Sequence, residues 1–258
     1  MPKSLNIALI QTYLHWEDPA SNRKMFKEKI AGVRSDVDVI VLPEMFTSGF
    51  TMKPGHLEAS EGGITLKWMQ DLAKAKDAAV VGSIVFQEAD QFFNRLFFVY
   101  PDGATKSYDK KHTFTLAGED EVYEAGKEKL ILDFKGFKIC PMICYDLRFP
   151  VWSRNSEDYD VLMYVANWPK KRIAAWDTLL KARAIENMAY CIGVNRVGLD
   201  GADFEYTGHS AVYDVLGEQL CYSEKEEVLY ATLDKAHIED TRKQLRFLED
   251  RDHFSLIE

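Results

Sequence analysis

Short runs rich in apolar and β-branched residues alternate along this chain with amphipathic stretches of helical period. Residues 36–42 are a nearly continuous run of this kind, which is typical of a strand buried on both faces. Residues 64–76 instead place their large apolar side chains on one face of a helix. The same criteria predict strands over residues 5–11, 36–42, 78–86, 92–100, 129–134, 137–144, 160–166, 190–197, 210–214 and 228–233, and helices over 18–33, 64–76, 171–188 and 238–247.

The pattern contains both fully buried strands and a tight hairpin, which is predicted around Lys135-Gly136. We therefore expect mixed sheets covered by helices. The chain has 258 residues and no repeat or Pro/Gly-rich linker, so we expect one domain over 1–258, with two small domains as the alternative. Its charged end, from about residue 235, is predicted to be a surface helix and tail that packs against a partner subunit.

The charge balance and the cysteines limit the partners and the compartment. The formal net charge of −9 and the isoelectric point near 5.3 argue against a nucleic-acid or anionic-membrane partner. We predict no signal peptide, and no apolar run approaches the ~20 residues of a membrane span. Four cysteines in a chain of this length are not a disulfide scaffold. We expect a cytoplasmic protein with reduced thiols at Cys140, Cys144, Cys191 and Cys221.

One cysteine stands where a nucleophile would be presented to a pocket. Residues 137–143 are mostly apolar and predict a buried strand that ends at Cys144, after which charged and turn-forming residues follow. A thiol needs a nearby cation or general base to react, because the thiolate is the nucleophile. A lone cysteine is more often an inert core residue, so the assignment depends on other residues that supply a base, a cation and an oxyanion hole.

Two charged residues occupy similar positions after predicted strands. Glu44 follows the buried run 36–42, where desolvation would raise the pKa of a carboxyl and make it a base near neutral pH. Lys110 follows another strand-like stretch, and a lysine near the thiol would stabilise a thiolate and later an oxyanion. Taken singly, a glutamate or lysine of this kind is more often a solvated side chain.

Taken together, the spacing of these three residues resembles the nitrilase superfamily of carbon–nitrogen hydrolases. The stretches that resemble its catalytic motifs are Leu42-Pro43-Glu44, Tyr108-Asp109-Lys110-Lys111-His112 and Ile143-Cys144-Tyr145-Asp146-Leu147-Arg148-Phe149-Pro150. Other similar stretches are Ala166-Asn167-Trp168-Pro169, 182–187 and 195–198, and the similarity extends from about residue 5 to 235. The chain departs from the family at Thr113, where leucine is common. The Lys110-Lys111 pair leaves the register open by one residue, and we choose Lys110 because it follows Tyr108-Asp109.

The resemblance implies a role for each matching residue. Glu44 is expected to be the general base, Lys110 the cationic stabiliser and Cys144 the nucleophile. A second catalytic glutamate of the family lies in a pattern E-x₃-aromatic-x₂-G, which is matched here by Glu119, Tyr123 and Gly126. We expect the backbone N–H of Tyr145 to bind the oxyanion, and Asn167 and Trp168 to contribute to substrate binding.

The resemblance also implies an α/β (α+β) fold, a four-layer α-β-β-α sandwich with two mixed sheets face to face. It implies a homo-oligomer, at least a homodimer, that acts on a small amide and water. We expect no metal or other cofactor, because the cysteines and histidines show no metal-ligand spacing.

Within the superfamily, the short loop 110–126 and residues 144–155 are most similar to omega-amidases, which hydrolyse the ω-amide of α-keto acids such as α-ketoglutaramate. Three alternatives stay open: another amide, N-carbamoyl or nitrile hydrolase of the superfamily, a thiol redox protein, and a non-catalytic binding protein on the same fold. The redox alternative is disfavoured, because Cys140 and Cys144 would lie ~13 Å apart along a strand, too far for a disulfide.

An α-keto acid substrate needs a cation for its carboxylate, and several basic residues follow the predicted strands near the site. The candidates are Arg148, Lys170, Lys171 and Arg172. The sequence does not choose among them, although we expect Arg148 to be an ion-pair partner in the turn after the nucleophile.

Overall fold

The computed structural model describes residues 4–256, in which the chain forms fourteen strands and five α-helices. The predictions that concern residues 1–3 and the end of the tail, 257–258, lie outside the described residues. The helices are α1 (Pro19–Ala31), α2 (Glu61–Lys76), α3 (Pro150–Ser153), α4 (Ile173–Asn187) and α5 (Lys235–Leu245). None of them is long and apolar enough to cross a membrane.

Twelve of the strands form two six-stranded mixed sheets. The first sheet contains, in spatial order, β14 (Glu227–Asp234), β1 (Ser4–Gln11), β2 (Val39–Val41), β3 (Ala79–Glu88), β4 (Gln91–Val99) and β5 (Thr105–Asp109). The second contains β13 (Gln219–Ser223), β12 (Ser210–Tyr213), β9 (Tyr190–Val194), β8 (Val161–Val165), β7 (Phe137–Ile143) and β6 (Leu132–Phe134). In each sheet the three consecutive strands β1–β3 or β7–β9 are parallel, and the flanking pairs are antiparallel. A separate hairpin joins β10 (Val197–Leu199) and β11 (Glu205–Thr207).

The two sheets pack face to face and are covered by helices on their outer sides. Successive residues of β1 show this directly, because side chains alternate between the two faces of a strand. Leu5, Ile7 and Leu9 join the core that also contains the inner residues of the second sheet, whereas Ala8 and Ile10 pack with α1 and α2. Helix α4 covers the second sheet, and its apolar side chains join that core. The predicted four-layer α-β-β-α sandwich is confirmed.

Several element boundaries differ from the predictions. The strand predicted over 36–42 is reduced to β2, because Asp38 turns its carboxylate to the backbone N–H of Asn6. The strand predicted over 190–197 ends at Val194, and Asn195 leaves the ladder to bind other backbone groups with its side chain. Helix α5 begins three residues earlier than predicted, because Asp234 caps it by accepting a hydrogen bond from the N–H of Ala236. Strands β10, β11 and β13 were not predicted, since they are short and lack clear apolar alternation.

The C-terminal helix packs against its own chain. Ile238 of α5 is fully buried, and Arg242 donates hydrogen bonds to the backbone carbonyls of Met188 and Tyr159 at 2.8 and 2.6 Å. Lys235 forms an ion pair with the buried Asp160. These contacts attach α5 to the amino-terminal edge of the second sheet, and the predicted contact of this region with a partner subunit stays a prediction.

Candidate active site

The sequence-predicted residues meet at the carboxyl ends of the parallel strands. Cys144 directly follows β7, Asn167 comes two residues after β8, and Glu44 comes three residues after β2. Lys110 directly follows β5 of the first sheet. Because the sheets face each other with these ends on one side, residues far apart in sequence converge on one crevice.

Cys144 lies in a strained turn at the end of β7. Its φ angle is +43°, and it begins a short 3₁₀ turn, Cys144–Arg148. A left-handed backbone costs a residue with a side chain about 1–2 kcal/mol, and such strain is concentrated at functional sites. The turn places Cys144, which is 8% exposed, at the wall of a cavity, whereas Cys140, within β7, is fully buried in the core.

Lys110 lies between two buried carboxylates. Its Nζ is 2.9 Å from Oε1 of Glu44 and 3.0 and 2.8 Å from the two carboxylate oxygens of Glu119. Both glutamates are fully buried, and the lysine is 1% exposed. Oε2 of Glu119 also accepts a hydrogen bond from the N–H of Phe114 at 2.6 Å. Burial of two carboxylates is costly unless they are paired, and Lys110 provides that pairing for both.

A residue that the sequence reasoning missed completes this cluster. Asn94, in the middle of β4, donates from Nδ2 to Glu44 at 2.8 Å and to Glu119 at 3.2 Å. Its side chain is 1% exposed. The available signal was an amide, followed by Arg95, between the apolar pairs Phe92–Phe93 and Leu96–Phe97. Asn94 holds the two carboxylates in a fixed relation to each other and to the lysine.

Asn167 joins the base to the cysteine. Its backbone N–H donates to Oε2 of Glu44 at 2.8 Å, and its Nδ2 donates to the backbone carbonyl of Glu44 at 2.6 Å. Its own carbonyl lies 3.9 Å from Sγ of Cys144 and accepts the thiol hydrogen. The Oδ1 atom of Asn167 is buried and has no hydrogen-bond partner among the described residues. That oxygen is an unused acceptor on a residue that lines the cavity.

The electrostatics of the cluster favour the charged form of Lys110 and the neutral form of the Cys144 thiol. Burial opposes the charge of Lys110, but the negative charges of Glu119 and Glu44 outweigh it and hold the pKa of the lysine above its usual range. Burial and the neighbouring Glu44 raise the pKa of the Cys144 thiol well above its usual range, although Lys110 opposes them. Burial and Glu44 also raise the pKa of Glu119, against the effect of Lys110. The resting cysteine is thus a thiol that needs a base before it can attack.

Of the two adjacent lysines, Lys110 is the one that contacts the buried carboxylates. Lys111 does not contact the carboxylates, and its ammonium group lies over the ring of Trp152, 5.4 Å from the centroid. The backbone of Lys110 is held by Gly126, whose N–H donates to the Lys110 carbonyl at 2.8 Å. A Cβ at Gly126 would lie 2.0 Å from the carbonyl oxygen of Asp109, so this close approach requires glycine. The glycine of the E-x₃-aromatic-x₂-G pattern therefore supports the lysine directly.

Cys144 lines a cavity of about 520 Å³, and seven of the other residues that line it are aromatic. Lys110, Cys144, Tyr145, Asn167 and Trp168 all line it, so the cavity brings together the predicted pocket residues with part of the charged cluster. The other aromatic lining residues are Trp16, Phe50, Phe114, Phe204 and Tyr206. Within residues 4–256, no group of three or more His, Cys, Asp or Glu side chains is arranged to hold a metal ion.

Two arginines line the same cavity. The expectation that Arg148 forms an ion pair was wrong: its guanidinium lies over the ring of Trp168, 5.0 Å from the centroid, with no carboxylate partner in the described chain. Arg172 lies 4.9 Å from the centroid of Phe114, and its backbone carbonyl accepts a hydrogen bond from Trp168. Lys170 is instead paired with Glu205 outside the cavity. The two arginines thus line the same cavity as the cysteine.

Several proteins of similar sequence and fold are named as amidases or carbon–nitrogen hydrolases. The chain is 41% identical to the omega-amidase YafV of Yersinia enterocolitica, over 98% of this chain and 99% of that protein. It is 30% identical to a 2-oxoglutaramate amidase of Bacillus subtilis (strain 168), over 95% and 96% of the two chains. A solved CN-hydrolase superfamily protein from Xanthomonas campestris, with an arsenic adduct in its active site, superposes with a TM-score of 0.95 at 40% identity over 98% and 99% of the chains. Residues 6–243 match the carbon-nitrogen hydrolase family model, and this protein belongs to that family.

Proposed function

We propose that this protein is an omega-amidase that hydrolyses the ω-amide of a short α-keto acid such as α-ketoglutaramate (2-oxoglutaramate) to the dicarboxylic acid and ammonia. The observation that carries the substrate class is the pair of arginines beside the nucleophile. Neither Arg148 nor Arg172 has a carboxylate partner within residues 4–256, and both line the cavity that contains Cys144. The relatives named omega-amidase and 2-oxoglutaramate amidase support the same substrate class.

In the first half of the reaction, the thiol attacks the amide. Glu44 accepts the proton of Cys144, and the sulfur bonds to the amide carbon, which leaves an oxyanion. Lys110 and the backbone N–H of Tyr145 stabilise that oxyanion, and a charged donor of this kind contributes about 3–4 kcal/mol to transition-state stabilisation. Glu44 then returns the proton to the amide nitrogen, the carbon–nitrogen bond breaks, and ammonia leaves a thioester on Cys144.

In the second half, water releases the acid. Glu44 takes a proton from a water molecule, and the resulting hydroxide attacks the thioester carbon. The tetrahedral intermediate expels the thiolate, which recovers a proton from Glu44. Throughout, Glu119 and Asn94 keep Lys110 and Glu44 in place, as their mutual distances of 2.8 to 3.2 Å suggest. In this mechanism, each proton transfer goes to or from Glu44.

Substrate orientation follows from the polar groups of the cavity that lack protein partners. The arginines bind the α-keto carboxylate by charge-assisted hydrogen bonds, and the free Oδ1 of Asn167 accepts an N–H of the amide that is cleaved. The carboxylates that line the cavity are already engaged. Glu17 contacts Thr51 and His56, and Asp200 accepts hydrogen bonds from two backbone N–H groups and the Tyr206 hydroxyl. Both carboxylates are held by protein donors, which disfavours a contact with the ammonium group of glutamine and supports the keto acid as the substrate.

A panel of substrates tests this proposal. We expect kcat/KM for ammonia release to be higher for α-ketoglutaramate than for glutamine, an N-carbamoyl amino acid or a simple nitrile at the same pH. The remote carboxylate of the keto acid supplies binding energy that is used at the reacting carbon. A nitrile or carbamoyl compound that is preferred by more than about 10-fold, equivalent to about 1.4 kcal/mol, would make the omega-amidase proposal wrong within the same family.

The arginine variants test the carboxylate site separately. Arg148→Met and Arg172→Met should each raise KM for α-ketoglutaramate by about 10- to 100-fold, because a hydrogen bond to a charged group contributes about 1.5–3 kcal/mol. The same variants should change KM for a neutral amide of equal length by less than threefold. Lys171→Met is the matched control, because Lys171 lies near Phe204 and does not line the cavity. Equal losses for the neutral and anionic amides would exclude a carboxylate role.

The assembly and the compartment belong to the same proposal. We propose a single catalytic domain that acts as a homodimer or larger homo-oligomer in the cytoplasm. Size-exclusion chromatography with light scattering tests the assembly at micromolar concentration, where a monomer would contradict it. The cytoplasmic location stays a prediction from the charge and the cysteine content.

A further inference from the structure

Asp146, two residues after the nucleophile, is a buried carboxylate that the mechanism above does not use. It is fully buried, and its two oxygens receive four contacts from hydrogen-bond donors. Oδ2 accepts from the backbone N–H of Ile143 at 3.0 Å and from the Tyr108 hydroxyl at 2.7 Å. Oδ1 accepts from the backbone N–H of His112 at 3.0 Å and lies 2.8 Å from its Nδ1. A buried carboxylate with this many donors is satisfied and rigid.

The four donors come from the two segments that carry the cysteine and the lysine. Ile143 is the last residue before Cys144, so its N–H fixes the entry to the strained turn. Tyr108 and His112 flank Lys110 on both sides along the chain. These two segments belong to different sheets, since β5 ends at Asp109 and β7 ends at Ile143. Asp146 is therefore a direct connection between the lysine segment and the cysteine turn.

Aromatic side chains also contact the two residues of the lysine segment, Tyr108 and His112, that bind Asp146. The Tyr108 hydroxyl also accepts hydrogen bonds from Trp152 Nε1 at 3.1 Å and from the Lys111 N–H at 3.2 Å. The His112 ring stacks on Phe149 with 3.6 Å between centroids and an interplanar angle of 4°. Phe149 and Trp152 lie just after the nucleophile turn, so they bring further contacts from that turn to the lysine segment.

We propose that Asp146 is a positioning residue that holds the Lys110 ammonium group at its working distance from Cys144 by fastening both segments to one carboxylate. This inference rests on the catalytic roles proposed for Lys110 and Cys144. Asp146 itself does not line the cavity, so it acts through the other two residues. The backbone of Lys110 itself donates to the carbonyl of Asn94 and accepts from the N–H of Gly126. Both hydrogen bonds lie within the first sheet and the loop that follows it. These bonds hold the Lys110 backbone in place, but they do not connect it to the turn that carries Cys144.

The molecule offers a matched control for a purely structural carboxylate. Asp160 is 3% exposed and accepts from the Lys138 N–H at 2.9 Å and from Arg242 at 3.2 Å, and it also pairs with Lys235. It lies at the start of β8, at the end of the second sheet opposite to Cys144. Asp160→Asn and Asp146→Asn make the same chemical change in equally buried sites, but only Asp146 is proposed to set the lysine–cysteine geometry.

The experiment measures the rate of Cys144 alkylation by iodoacetamide at pH 8, together with kcat and KM for α-ketoglutaramate and the melting temperature. The groups whose charges act on the thiol are Glu44, which disfavours the thiolate, and Lys110, which favours it. If Asp146→Asn lets Lys110 move away, alkylation should slow at least fivefold and kcat should fall at least tenfold, with KM changed less than threefold. Asp160→Asn should lower the melting temperature without either kinetic effect.

A double substitution decides whether Asp146 acts through the lysine. In a Lys110→Met background, Asp146→Asn should have no further effect on the alkylation rate, because the charge that it positions is already absent. An equal slowing in both backgrounds, or unchanged alkylation and kcat in the single variant, would overturn the proposal. If Asp146→Asn does not fold, Tyr108→Phe removes one of the four contacts and should show the same pattern at smaller size, and its absence would count equally against the proposal. Alkylation needs no substrate, so this result is independent of whether the omega-amidase proposal holds.

Discussion

Replacement of Lys110 by methionine removes the positive charge from the centre of the buried cluster and keeps most of the side-chain volume. In the native protein, this charge makes contacts of 2.8 to 3.0 Å with Glu44 and Glu119, both of which are fully buried. The variant leaves two buried carboxylates that share one donor, Asn94. Removal of one partner from a buried ion pair costs about 3–5 kcal/mol, so we expect a loss of this size in the free energy of unfolding at pH 8.

The loss should depend on pH in a defined direction. Two carboxylates without their cation take up a proton more readily in the folded state than in the unfolded chain, so at least one folded pKa is raised above its unfolded value of about 4.3. Between the unfolded pKa and the higher folded pKa, the folded state binds more protons than the unfolded state. The free energy of unfolding therefore falls as pH rises between these two pKa values. The difference from the native protein should therefore be smaller at pH 5.5 than at pH 8.

Urea unfolding followed by tryptophan fluorescence at both pH values measures this, and ammonia release from α-ketoglutaramate measures the catalytic effect. We expect kcat to fall by about 10²- to 10³-fold through loss of the charged oxyanion donor. Lys111→Met is the control, since the Lys111 ammonium group lies over the face of Trp152 and its loss should cost less than about 1 kcal/mol. A loss below about 1 kcal/mol at pH 8 in Lys110→Met, or a larger loss at pH 5.5 than at pH 8, would refute the reasoning.

Two further substitutions test other parts of the site. Cys144→Ala should abolish ammonia release and leave the fold intact, whereas Cys140→Ala should keep most activity, because Cys140 lies in the core and does not line the cavity; equal losses in the two variants would contradict this. Asn94→Leu should destabilise the protein by about 1–3 kcal/mol and lower kcat at least tenfold, because both carboxylates lose their shared donor. Urea unfolding measures the stability and ammonia release measures kcat. An unchanged kcat would show that Lys110 alone orders the carboxylates.

The catalytic candidates were predictable because of where they stand relative to the strands. Glu44 and Cys144 follow strands of the parallel type, whose carboxyl ends gather on one side of a sheet whatever the loops do. Lys110 follows β5, and its register was readable from Tyr108-Asp109 before it. Position along the chain therefore carried information about position in space for these three residues.

Other features depend on contacts between distant segments, which local patterns do not report. In the sequence, Asn94 is one of three polar residues of β4, and its role becomes visible only from its contacts with Glu44 and Glu119. The expected ion pair of Arg148 was wrong because no carboxylate among residues 4–256 pairs with it, and its guanidinium instead lies over the ring of Trp168 from another loop. The hairpin of β10 and β11 contributes to the cavity wall, yet its strands have three residues each and no periodic signal.

The central claim is that Cys144 forms a thioester with the acid part of the substrate. The most direct test is to quench the enzyme with acid during turnover of α-ketoglutaramate and to measure the intact mass, followed by peptide mapping. We predict an increase equal to the substrate mass minus ammonia, located on the peptide that contains Cys144 and absent in Cys144→Ala. An adduct on Cys140, Cys191 or Cys221, or continued hydrolysis by the Cys144→Ala variant, would contradict the account.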